Sequence, residues 1–144
     1  MLIGEYQSKL GEKNRVALPS RLRTDLGNNI IVTRGYENCL VIVRPDQFEA
    51  LLKSINEKEF TLSEVRDTSR FLVGGAAEIE LDNQGRMVLP KSLIEYANLK
   101  EDLTFIGLVR WVEIWSTDSW KERLDFLTNN SSEIAQKLEG IRNE

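Results

Sequence analysis

Polar and apolar positions alternate over Gly4–Leu10, placing Tyr6, Ser8 and Leu10 on one face, and that period of two predicts a strand. Lys13-Asn14 interrupts it where a tight turn belongs, since asparagine tolerates positive φ about as well as any residue bearing a Cβ. Arg15–Leu18 resumes as a second strand. Pro19 then changes the period: Leu18, Leu22 and Leu26 recur every fourth residue, a short helix that Gly27 stops. Asn29–Thr33 and Cys39–Val43 are β-rich runs and predict an adjacent strand pair. Pro45-Asp46 opens a helix whose stripe of Phe48, Leu51, Leu52 and Ile55 predicts core packing.

A polar break, Asn56–Glu59, follows. Thr61 and Glu64 stand three apart as a capping box, predicting a helix to about Leu72 with Leu62, Val65, Ser69 and Leu72 inward and Gly74-Gly75 at its end. The first order then recurs. Ala76–Leu81 and Met87–Leu89 are strands around a turn, and Pro90 opens a helix with Leu93 and Ala97. Leu103–Gly107 and Trp111–Trp115 form the second strand pair. Ser116–Trp120 caps a helix carrying Trp120, Leu124 and Leu127. Behind a further cap at Asn130–Glu133, Ile134, Leu138 and Ile141 predict one more short amphipathic helix in a polar tail.

The recurrence is a sequence repeat. Leu10, Arg15, Leu18 and Pro19 match Leu81, Arg86, Leu89 and Pro90 at one offset of 71 residues, whereas Phe48 matches Trp120 at 72, so one residue is inserted between. The chain therefore predicts an α+β fold: two β-β-α-β-β-α half-domains, 1–55 and 75–128, a connector helix over 56–74, and a tail over 129–144. Neither half buries enough surface to be comfortable alone. A shared, barrel-like core with pseudo-twofold symmetry satisfies both.

Composition narrows the chemistry. No histidine occurs among the 144 residues, which excludes imidazole catalysis and histidine-ligated metals, and one cysteine makes neither a zinc knuckle nor an internal disulfide. Phosphate loops and nucleophile elbows are absent. Cys39 sits in an apolar run and reads as a buried, inert thiol suited to a reducing cytoplasm. No apolar run approaches a membrane span, and Met1–Glu5 lacks the basic and apolar parts of a signal peptide. Glu78, Glu80 and Asp82 share a strand face, but no other convergent group accompanies them as an enzyme would need. Neither a cofactor nor a small-molecule substrate is expected.

Net charge is −4, weakly unfavourable for nucleic acid, yet its distribution is uneven. Residues 1–34 carry six basic side chains against three acidic, and residues 75–105 carry three against six. Asp82 and Arg86 can simply pair across their turn, an interaction worth about 0–1 kcal/mol when exposed. Gly11, however, replaces the aspartate in the first copy while Arg15 stays.

The duplicated Asp-x-x-x-Arg with hydrophobics and Leu-Pro resembles the MraZ family. Gly4-Glu5-Tyr6, Lys13–Pro19 with Leu22-Arg23, the Glu64–Gly74 connector and Leu81–Pro90 carry the likeness over nearly the whole chain. The resemblance implies the swapped-hairpin, AbrB-like fold, a double-psi-like barrel. It also implies a cytoplasmic, nucleoid-associated transcriptional regulator that binds double-stranded DNA at direct repeats upstream of a division and cell-wall operon. Members assemble as homo-oligomeric rings with the motif loops on one face. Asp82 and Arg86 match the motif as a turn salt bridge. Arg15 matches, Gly11 does not, and Asn14 stands where the family often has glycine. Without its aspartate, Arg15 is freer to reach phosphate or a guanine edge. Lys13, Arg21 and Arg23 complete a basic cluster, although Arg21 and Arg23 also suit a solvated helix face. The alternative is an antitoxin-like module of the same fold that binds a protein partner and makes no DNA contact. Net negative charge and Trp111, Trp115 and Trp120 lean that way, though tryptophans at such spacings more often serve a core.

Overall fold

A computed structural model of the chain describes residues 1–142. Its strands are β1 (Ile3–Lys9), β2 (Arg15–Ala17), β3 (Asn29–Arg34), β4 (Leu40–Val43), β5 (Ala77–Glu80), β6 (Arg86–Val88), β7 (Asp102–Leu108) and β8 (Val112–Ser116). Its helices are α1 (Ser20–Leu26), α2 (Pro45–Asn56), α3 (Ser63–Leu72), α4 (Lys91–Tyr96) and α5 (Thr117–Arg142). The chain is mixed α+β, and β-β-α-β-β-α occurs twice with α3 between.

All strand pairing is antiparallel. Six strands form one sheet in the order β1-β7-β8-β4-β3-β5, and β2 and β6 form a separate ribbon. The first strand of each repeat pairs with the third strand of the other, β1 with β7 and β5 with β3. Tyr6 faces Phe105 as Ala77 faces Val32, and β4 and β8 pair about Val41 and Glu113. Equivalent residues thus lie 71 positions apart in β1/β5, 73 in β3/β7 and 72 in β4/β8. The single insertion expected from sequence is the net of two residues gained before β7 and one lost before β8.

Alternation and helical period converge on one interior. Val16, Leu18, Leu22, Leu26 and Val32 from the first repeat meet Met87, Leu89, Leu93, Ala97 and Phe105 from the second, all buried. Burying such side chains stabilises by about 1.5–3 kcal/mol each. Across the sheet, Cys39, Ile106 and Trp115 form a smaller cluster on which Trp120 packs, the two indoles 5.5 Å apart. Cys39 is fully buried, and burial beside Glu113 and Glu37 pushes its thiol far above the ordinary range. No described helix is long and apolar enough to cross a membrane.

Four local expectations fail. The Thr61 capping box does not form: α3 begins at Ser63 behind Leu62 with no side-chain cap, and Leu62 is exposed. The Thr61 and Phe60 carbonyls instead accept the Arg66 guanidinium, so the chain turns before the helix starts. The α2 stripe is not core either, since α2 buries no residue fully. Trp111 precedes β8 and does not lie within it. Finally, the break at Asn130–Glu133 is absent, and α5 runs unbroken for 26 residues. Asn130 sits on that helix and donates from Nδ2 to the Phe126 carbonyl, 2.9 Å away, a bond made to the preceding turn and not to a helix start. Ser116 is the cap that forms, its Oγ accepting the Ser119 amide at 3.3 Å. The last two residues of the 129–144 tail lie outside the described residues.

Candidate nucleic-acid interface

Alternation along the β2–β6 ribbon sorts its side chains. Val16 and Met87, paired with each other, are each 1% exposed and hold the ribbon to the core. Arg15, Ala17, Arg86 and Val88 therefore share the other face, with Arg15 opposite Val88 and Ala17 opposite Arg86. Arg15 and Arg86 line one shallow hollow with Asp82, Glu78 and Glu80. Each strand also leaves across the other repeat's loop: the Leu18 amide donates to the Gly85 carbonyl at 3.0 Å and the Leu89 amide to the Asn14 carbonyl at 2.9 Å. The two motif loops are one structure.

Those loops close differently. In the first, the Gly11 amide donates to the Arg15 carbonyl at 2.8 Å, and both Lys13 and Asn14 adopt positive φ, 59° and 61°. Asparagine suits that conformation; the lysine before it carries no sequence signal for it. In the second, Gly85 stands at φ 76°. Asp82 Oδ1 accepts the Gln84 and Arg86 amides, both at 2.9 Å, and Oδ2 accepts Arg86 Nε at 2.8 Å. The Arg86 amide is the main reason the Asp82 carboxyl is held below its ordinary range, with the guanidinium and the Gln84 amide adding to it. Arg86 is thereby oriented, with its two terminal nitrogens unpaired among the described residues.

The remaining cations separate. Lys13 and Arg21 are exposed, and among the described residues Lys13, Arg15, Arg21 and Arg23 make no ion pair. Arg23 is half-buried, so it is no freely solvated helix residue. Its guanidinium lies over the second loop, so close that a Cβ added at Gly85 would stand 1.7 Å from Nη1. Sequence reasoning missed this neighbour, because Arg23 and Gly85 belong to different repeats. The only hint is that glycine replaces asparagine at the equivalent loop position. No group of three or more potential metal ligands occurs among the described residues.

Comparison with known proteins follows the repeat. Residues 1–71 and 72–140 each match the family model described as "MraZ protein, putative antitoxin-like". A "Transcriptional regulator MraZ" of Syntrophomonas wolfei subsp. wolfei is 39% identical over 138 residues, covering 96% of each chain. Relatives with the same title from Caldicellulosiruptor saccharolyticus and Clostridium beijerinckii are each 38% identical, covering 98% of this chain and 99% of theirs.

Proposed function

The chain belongs to the MraZ family, and from that premise we propose that it is a transcriptional regulator acting on double-stranded promoter DNA. The family is one of regulators, not enzymes. The outer face of the β2–β6 ribbon carries the DNA reading: two arginines on one face, one of them without an ion pair among the described residues and the other steered by Asp82. A two-stranded ribbon fits a major groove about 12 Å wide, where a guanidinium can read guanine through paired hydrogen bonds. Arg15 and Arg86 are the base-edge candidates; Lys13, Arg21 and Arg23 supply phosphate contacts.

Several further features belong to the same reading. The two half-domains, 1–55 and 75–128, form a pseudo-twofold swapped-hairpin barrel of the AbrB-like, double-psi type, joined by 56–74 and followed by the 129–144 tail. The exchanged pairing of β1 with β7 and β5 with β3 supports it. Copies assemble in a homo-oligomeric ring, so several modest basic faces engage consecutive direct repeats upstream of a division and cell-wall operon and gain by effective concentration. The site of action is the cytoplasmic nucleoid.

The test is a gel-shift series on a repeat-bearing promoter at increasing salt. Replacing Arg15 and Arg86 together by alanine weakens binding and relaxes sequence preference, whereas replacing Lys13, Arg21 and Arg23 weakens binding on all sequences and lowers the salt slope by about 0.9 for each phosphate that a subunit no longer neutralises. Unchanged affinity and sequence preference after the first replacement would remove the ribbon from the interface. A second reading, a partner-binding module without DNA contact, draws on the net charge of −4. It predicts no DNA retention at low salt and a protein that co-purifies in fixed ratio.

A further inference from the structure

Val16 and Met87, equivalent residues of the two repeats, face each other at the centre of the β2–β6 ribbon, with Arg15 opposite Val88 and Arg86 opposite Ala17. Exchanging the repeats maps this register onto itself, so the ribbon pairing is symmetric. Its side chains are not. At one end Arg86 is half-buried, and Asp82 Oδ2 accepts its Nε at 2.8 Å. Oδ1 of the same carboxylate fastens the loop by accepting the Gln84 and Arg86 amides. The two terminal nitrogens of Arg86 are left as a fork whose direction is set before any ligand arrives.

At the other end Arg15 is exposed, makes no ion pair among the described residues, and has Gly11 where the carboxylate would stand. Its amide donates to the Glu12 carbonyl, and the loop closes on Lys13 and Asn14, both left-handed. Nothing tethers the guanidinium. The neighbours differ in the same sense: Arg23 lies over Gly85 of the second loop, but its equivalent in the second repeat is Ile94, packed against the core. Guanine is distinguished by two donors placed together on O6 and N7, and a well-made pair discriminates about 5- to 140-fold. A tethered fork meets that geometry with little freedom left to lose. An untethered one surrenders rotamers on docking, which offsets about 2- to 12-fold of the gain. It also reaches phosphates, which are the same on every sequence.

We propose that the two ends of the ribbon read DNA unequally: Arg86, with Asp82 as its positioning residue, fixes one guanine, and Arg15 accepts several bases. Each subunit then recognises a non-palindromic element and lies on it in one orientation. A ribbon with two identical ends would read an inverted repeat, since operator symmetry mirrors protein symmetry. Copies set along direct repeats need an element with a direction, and the loss of one carboxylate supplies it. This rests on the DNA reading above and adds which end specifies the base.

Selection by the full chain from duplexes with a randomised centre, followed by sequencing, tests it, with urea unfolding to establish that each variant folds. Wild type enriches a non-palindromic element with one dominant guanine. Arg86→Ala erases that preference, worth about 5- to 140-fold, whereas Arg15→Ala lowers affinity and leaves it in place. Asp82→Asn keeps an acceptor for the Gln84 and Arg86 amides but loses the charge that holds Nε, so the guanine preference relaxes about 2- to 12-fold. Gly11→Asp combined with Asn14→Gly gives the first loop the two residues of the second, and the selected element approaches an inverted repeat. The site admits the change: Gly11 has φ −93°, and a Cβ there meets only the Arg15 carbonyl oxygen, at 3.4 Å. A palindromic wild-type element, a guanine that survives Arg86→Ala, or a guanine preference unmoved by Asp82→Asn overturns the inference and leaves DNA binding standing. Enrichment of no element by wild type overturns the DNA reading and this inference together.

Discussion

Gly85 separates backbone strain from side-chain placement, because each depends on a different atom. At φ 76° a residue bearing a Cβ costs about 1–2 kcal/mol. The Cβ of Gly85→Ala would also stand 1.7 Å from Arg23 Nη1 and 2.7 Å from Cζ. Those atoms end a flexible side chain, so the arginine swings away and the loop stays. Gly85→Asn displaces Arg23 equally, yet asparagine already holds φ 61° at the equivalent Asn14. Urea unfolding at fixed protomer concentration should therefore show alanine destabilising by about 1–2 kcal/mol and asparagine by clearly less. DNA affinity should fall alike in both variants, and Arg23→Ala alone should reproduce that fall without the stability loss. Equal unfolding midpoints for Gly85→Ala and Gly85→Asn would refute the strained-loop argument. A loss of affinity seen with alanine only would refute the placement of Arg23.

Three other outcomes follow from the same geometry. Met87→Ala, beneath the ribbon, should destabilise by about 2–5 kcal/mol in chemical denaturation, whereas Val88→Ala, 56% exposed on the outer face, should stay within about 0.5 kcal/mol. Since the Asp82 carboxyl is held below 3.8 in the folded chain, its contribution is complete above that pH and lost as pH falls through the lowered value. Asp82→Asn should flatten that acid limb in a pH series of unfolding midpoints and leave the alkaline side unchanged. Cys39, buried with its thiol pushed upward, should resist iodoacetamide in the native chain and react fully in denaturant.

Much of this architecture is legible in local pattern. The period-two run at Tyr6–Leu10, the Leu18–Leu22–Leu26 spacing and the Pro19 and Gly27 boundaries each act within a few residues, and each appears where expected. So does the pairing of Asp82 with Arg86, whose partners are four apart. Features set at a distance were not legible. The α2 stripe has helical period whether it meets a core or a groove, and only tertiary placement leaves Phe48 and Leu52 half-covered. The Asn130–Glu133 cluster has the composition of a cap, but side-chain bonding to the preceding turn and the continuing stripe carry the helix through. Arg23 against Gly85 depends on how two repeats dock, and no window within either repeat contains that information.

The exchange of β1 and β5 between repeats has a consequence during synthesis. β1 is made about 100 residues before β7, the strand it pairs with. At about 5–20 residues per second the interval is on the order of 5–20 s. Throughout it Ile3 and Tyr6 stand on an unpaired edge, guarded by Glu5 and Lys9, the kind of charges that discourage wrong pairing. The nascent chain must keep its earliest strand from a neighbour's until its own partner emerges.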